Sequence, residues 1–229
     1  MPAEADNSTI LPGRVDRREP QHPLSMSEVT PTLDRMSTIT IEAATQSRFA
    51  DAEHALTGGG DGASCQCQWW LMTNNEFDHT TRAQKEEILR AELGTTPSPA
   101  LIAYVDGVAA GWIRVGPRTK QPKLARTRQF QASPSPWDDP DVWAVTCFVV
   151  RREYRKQGLN RRLLDAAIEH ARSSGARVLE AYPSDPSAKK IPTNDLYVGI
   201  LSTFVAAGFR EVARPKPHRT IVQLELAQG

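Results

Sequence analysis

A nine-residue, mostly apolar run, Val142 to Val150, passes through the basic turn Arg151 to Gln157 and enters a helical pattern at Gly158. This change of period constrains the fold more than any other feature. The run reads as a buried strand, while the segment after it repeats its apolar residues at helical spacing. Leu159, Leu163, Ala167 and Ala171 share one face, with Leu164 and Ile168 beside it, so the helix packs on a sheet and leaves its N-terminus open. A second strand pattern, Arg177 to Tyr182, completes a strand-turn-helix-strand unit and puts the chain in the α/β class.

The turn itself points to a ligand. Gly158 lets a ligand approach the backbone closely, and the unpaired amides of the first helical turn, at the positive end of the helix dipole, favour phosphate. Arg155, Lys156 and Arg161 add positive charge there. A pyrophosphate fits such a site. The chain carries neither the Gly-x-x-x-x-Gly-Lys-Ser/Thr loop nor the Gly-x-Gly-x-x-Gly turn of the common nucleotide folds, which weighs against a general nucleotide-binding protein.

Around this unit the pattern predicts one domain over 37–229, preceded by a Pro-rich, apolar-poor flexible tail over 1–36. A strand is expected at Thr38 to Ile41 and a helix at Ser47 to Leu56, after which Gly58 to Gly62 break the chain. Thr81 with Gln84, and Gly94 beyond, bound a helix over Thr81 to Leu93. Asp106-Gly107 joins the strands Leu101 to Val105 and Val108 to Val115 through a type I′ turn. The long connection Gly116 to Asp141 is a candidate lid. A last helix over Asp195 to Ala207, then strands Phe209 to Ala213 and Arg219 to Leu226, close the domain.

Charge and composition remove other classes. Lys and Arg total 28 against 27 acidic residues, net +1, so nothing draws the molecule to nucleic acid or an anionic membrane. The apolar runs are too short for a transmembrane helix and no export signal is visible, which together with three cysteines fits a cytoplasmic protein. Cys65-x-Cys67 has no second Cys or His pair at zinc spacing, so no metal is expected. Those thiols and Trp69-Trp70 are read as core or as the wall of an acceptor pocket, and Cys147 as a packing residue.

Arg155-x-x-Gly158-x-Asn160, with Val150 and Tyr154 before it and Leu163-Leu164 after it, resembles the acyl-CoA signature of the GNAT N-acetyltransferases. Asn160 stands where the family has Gly or Ala. Ala207 to Val212 is similar to the family's closing helix-to-strand turn. The resemblance implies a mixed, mostly antiparallel central sheet with a splayed strand pair, flanked by helices. It implies acetyl-CoA as co-substrate, held along the pantetheine by Phe148, Val149 and Val150 and at the pyrophosphate by Arg155, Lys156, Gln157, Gly158, Leu159, Asn160 and Arg161. A primary amine of an acceptor then attacks the thioester directly, with backbone N–H groups stabilising the oxyanion.

The tyrosine that many members use to protonate the departing thiolate is Phe204 here, which leaves Tyr197, Tyr182, water or no dedicated acid. Glu180, with apolar neighbours in its strand, is the expected base through partial burial, the alternative being an edge-strand surface glutamate or an ion-pair partner. Arg118, Lys120, Lys123, Arg126 and Arg128 read as a solvated, flexible basic loop, or as a site for an acidic acceptor or for the 3′-phosphate of CoA. Trp137 with Asp138, Asp139 and Asp141 would give an acidic rim suited to a cationic one. A non-catalytic acyl-CoA-binding domain is the rival reading, and a homodimer stays open.

Overall fold

The structure is a computed structural model that describes residues 37–227; the tail expected over 1–36 lies outside them. Seven strands form one sheet in the order β1-β2-β3-β4-β5-β7-β6. They are β1 (Ile39–Ala43), β2 (Ala100–Val105), β3 (Val108–Pro117), β4 (Val142–Val150), β5 (Val178–Ala181), β6 (Arg210–Lys216) and β7 (Arg219–Glu225). All neighbours pair antiparallel except β4 and β5, which are parallel. The helices are α1 (Phe49–Leu56), α2 (Gly62–Cys65), α3 (Asn74–His79), α4 (Arg82–Glu92), α5 (Pro122–Arg126), α6 (Leu159–Ser173) and α7 (Leu201–Ala206).

Local chemistry explains the boundaries. Thr81 caps α4 in a reciprocal box with Gln84, and Thr73 does the same for α3 with Glu76, a short helix that the apolar pattern does not announce. Asp106 and Gly107 have φ of 49° and 83°, the two left-handed positions that a type I′ hairpin turn demands. α6 buries Leu159, Leu163, Leu164, Ala167, Ile168 and Ala171 against one sheet face. The opposite face, with Ile102, Tyr104 and Trp112, is covered by α1 and α4. A third cluster around Trp70, Phe130 and Tyr182 fills the side where β5 and β7 meet the long connection.

Two expectations are corrected here. The single helix over Asp195 to Ala207 is a 3-10 turn, Thr193–Val198, followed by the six-residue α7. Gly199 separates them at φ 81°, a conformation costly for any residue with a Cβ, and a Cβ there would also lie 2.7 Å from the Phe204 ring. The connection Gly116 to Asp141 is not a solvated lid. Arg118, Lys123, Leu124 and Phe130 are buried, and among the described residues its basic run is split between the core and the surface. No described helix is long and apolar enough to cross a membrane.

Candidate active site

The parallel pairing of β4 with β5 covers only Val142 to Val145 against Val178 to Ala181. Beyond it the strands diverge. The chain after β5 turns so that Ser184 bridges Ile200 and Arg219, while β4 runs on to Val150 with β3 as its only strand neighbour among the described residues. The register between β3 and β4 slips at the same place, where Arg114 faces Cys147 and Val115 faces Val145, leaving Thr146 as an extra residue. Such a bulge bends a strand and increases its twist, which fits the opening of the sheet at this point. Trp70 Nε1 donates to the Thr146 carbonyl at 3.2 Å and ties one wall to the bulge.

The diverging edge lines a cleft of about 740 Å³. Its far end is the N-terminus of α6, where Gly158 has φ 75° and no side chain caps the helix. The Arg161 amide donates to the Gly158 carbonyl at 3.1 Å, which leaves the Leu159 and Asn160 amides of the first turn for an anion. Lys156 also adopts a left-handed φ of 64°, and Arg155 Nε donates to the Val150 carbonyl at 3.2 Å, which fixes the basic turn to the end of β4. A Cβ on Gly59 would come within 3.0 Å of the Arg155 guanidinium, so the glycine run packs on this turn.

Of the residues expected to hold the cofactor, Phe148, Val149, Val150, Arg155, Lys156, Gly158, Leu159 and Asn160 line the cleft. Gln157 and Arg161 do not. The Arg161 guanidinium instead reaches Asp165 and donates to the Ala206 carbonyl at 2.8 Å, tying α6 to α7.

The three expected proton-transfer residues separate. Tyr197 lines the cleft, and burial pushes its phenol well above the ordinary range, so it stays protonated. Glu180 and Tyr182 lie away from the cleft, both fully buried. The Glu180 carboxylate accepts from Arg118 at 2.9 Å, from Ser133 and Gln223 at 2.6 Å, and from the Tyr182 hydroxyl. The partial burial expected of Glu180 is thus complete burial in an ion pair. Asp138, Asp139 and Asp141 also lie off the cleft, with Asp139 paired to Arg177 at 2.7 Å; Asp61 is the carboxylate on the cleft wall.

Cys65, Cys67 and Cys147 all line the cleft beside Trp69 and Phe77. Cys67 Sγ accepts hydrogen bonds from Trp112 Nε1 at 3.2 Å and from the buried Arg114 Nε at 3.3 Å. Arg114 forks onto Glu92 at 3.1 and 2.8 Å, and Gln68 braces the same carboxylate at 2.8 Å. Burial pushes the Cys67 thiol up, but the Cys147 hydrogen bond, the Arg114 charge and the two N–H donors outweigh it and bring it down to about 6. Burial raises Cys65, while Cys147 is raised well above its ordinary range by its hydrogen bond to Cys67 and by burial. This cradle is invisible in sequence, because it needs the register that sets Cys147 opposite Arg114. No group of three or more His, Cys, Asp or Glu among the described residues could hold a metal ion.

The sequence profile of the Acetyltransferase (GNAT) family matches residues 65–191. No curated protein matches the chain. Among solved structures, an N-acetyltransferase from Staphylococcus aureus Mu50 is 13% identical, with a TM-score of 0.50 over 83% of this chain and 100% of its own. Another acetyltransferase is 18% identical, with a TM-score of 0.50 over 82% and 100%. A paia N-acetyltransferase from Thermoplasma acidophilum, solved with coenzyme A, is 13% identical, with a TM-score of 0.47 over 82% and 99%. At these identities the likeness is one of fold.

Proposed function

The chain belongs to the GNAT acetyltransferase family, and from that premise we propose that it transfers the acetyl group of acetyl-CoA to a primary amine. Acetyl-CoA is the co-substrate. One observation carries the reading: the unpaired edge of β4 and the uncapped N-terminus of α6 open into a single cleft. Backbone groups of Phe148 to Val150 that face away from β3 suit the amides of a pantetheine arm, the Val150 carbonyl apart, which already accepts from Arg155, and the α6 amides with Arg155 and Lys156 suit the pyrophosphate.

The chemistry follows from charge development. Attack on the thioester puts negative charge on the carbonyl oxygen, and a backbone N–H on the open β4 edge stabilises it. In the direct form of the reaction the amine attacks the bound thioester itself. Tyr197, held protonated by burial, supplies the proton to the departing CoA sulfur. Phe204 cannot take that role, because a phenyl ring has no proton to give; its ring packs fully buried against Phe148 and Phe209.

Calorimetric titration with acetyl-CoA, beside ATP and free CoA, tests the donor half, and thiol release with a panel of amines tests the transfer. Binding without release over a broad panel would favour an acyl-CoA-sensing domain. No binding would remove the reading altogether.

A further inference from the structure

The cleft holds a second sulfur centre that direct attack does not use. Gln66 and Cys67 occupy consecutive left-handed positions, φ 48° and 57°, although neither is glycine. Such strain persists only where the surroundings over-determine it. Here it turns Sγ onto β3, where Trp112 and Arg114 each aim an N–H at it. Cys147 stands directly across from Arg114 on β4. Arg114 cannot swing away, because Glu92 holds both of its terminal nitrogens.

Two N–H donors, one of them on a buried cation, therefore converge on one sulfur. A neutral thiol brings a donor of its own and is a weak acceptor, so this arrangement suits the anion, and a cysteine buried only for packing needs none of it. Cys67 is 3% exposed, yet the residue lines the cleft. The other two thiols of the cleft are held neutral, which singles Cys67 out.

We propose that Cys67 is an acyl acceptor: its thiolate attacks the thioester carbonyl of the acyl-CoA lying along β4, and the acyl group passes to Sγ as a protein thioester. The bond from the carbonyl carbon to the CoA sulfur breaks, CoA leaves as its thiolate, and that thiolate takes a proton from water or Tyr197. One thioester replaces another, so no oxidant, metal or further reactant is needed. The acylated Cys67 remains reactive toward an amine in the same cleft. This inference rests on the acetyl-CoA reading above.

The test is isotope exchange in the absence of any amine. The full chain is incubated with acetyl-CoA and labelled free CoA, the label is followed into acetyl-CoA, and the quenched protein is digested for mass spectrometry. The expected result is exchange well above the uncatalysed background, with a hydroxylamine-labile acetyl group on the peptide carrying Cys67. Cys67→Ala returns exchange to background while still binding acetyl-CoA by calorimetry. Wild-type protein that binds acetyl-CoA and acetylates an amine without exchange overturns the inference and leaves the proposed function standing. Exchange that survives in Cys67→Ala, or an acetyl group mapped to another residue, overturns it as well. If Cys67→Ala does not fold, the wild-type exchange and peptide map decide alone. Absence of acetyl-CoA binding by the wild type sinks both readings.

Discussion

Arg118 and Glu180, 62 residues apart in the chain, close an ion pair at 2.9 Å with both side chains fully buried. Removing two charges from water is costly, and the pair is tolerable only because the network around it is dense. Ser133, Gln223 and Tyr182 satisfy the carboxylate, the Ser135 and Pro136 carbonyls accept from Arg118, and Trp137 lies under its guanidinium. The pair fastens the connection 117–141 to β5, so this segment forms a fixed wall beside the sheet.

Breaking one half of the pair strands the other. Arg118→Met leaves a buried, uncompensated carboxylate and is expected to cost about 3–5 kcal/mol in urea unfolding, whereas Arg118→Met with Glu180→Leu recovers part of the loss. Because Glu180 lies off the cleft, the pH–rate profile of acetyl transfer by folded Glu180→Gln should match that of the wild type. A lost acid limb would return Glu180 to the role of general base.

Gly158 is constrained by its dihedral and not by crowding. Its φ is 75°, while an added Cβ would meet no protein atom within 4 Å. Gly158→Ala therefore costs about 1 kcal/mol of stability through backbone strain alone. The Cβ would stand in the open mouth of the cleft, so acetyl-CoA affinity should fall further than stability does, as read by calorimetry beside thermal unfolding. Unchanged affinity would move the pyrophosphate away from α6.

The strand-to-helix unit was legible because its information is local. Apolar period, a glycine and a basic turn lie within one stretch, and α6 buries the face that its spacing predicts. The hairpin and the α4 cap were legible for the same reason. The separation of Glu180 and Tyr182 from Tyr197 was not, since it depends on which side of the β4–β5 divergence each side chain falls. A basic run such as 118–128 looks solvated in sequence because nothing local reveals that a carboxylate from β5 meets its first member. Gly199 marks the opposite case: the apolar pattern runs on through it, but its position against Phe204 forces the break.

Tyr197 lines the cleft with its phenol raised by burial, so it carries its proton at neutral pH and cannot act as a base. Tyr197→Phe keeps the ring and removes only the proton. A fall of about a hundredfold in kcat with unchanged acetyl-CoA affinity is expected, consistent with loss of one general acid. The defect should shrink with acyl donors whose thiol leaves more easily, because such a leaving group needs less protonation. An equal defect for good and poor leaving groups would assign Tyr197 to packing.

Cys67 should react as a thiolate at a pH where an ordinary cysteine does not. Burial alone would raise it. The groups facing it are Arg114 and Trp112 from β3, Cys147 from β4 and Cys65 from α2, with Glu92 behind Arg114, and their balance brings it from an ordinary 9.0 to about 6. A lowered acid is ionised above its folded value, so alkylation of Cys67 by iodoacetamide should already be near its plateau at neutral pH and fall only as the pH drops through about 6. Arg114→Met withdraws the cation and one N–H donor, and the midpoint should climb toward the ordinary value. Saturating acetyl-CoA should slow the labelling, since both occupy one cleft. Peptide mapping after timed alkylation reads all three effects on the same residue. A wild-type midpoint near 9.0 would mean that the Trp112 and Arg114 donors hold a neutral thiol, and the acyl-acceptor role would lose its physical basis.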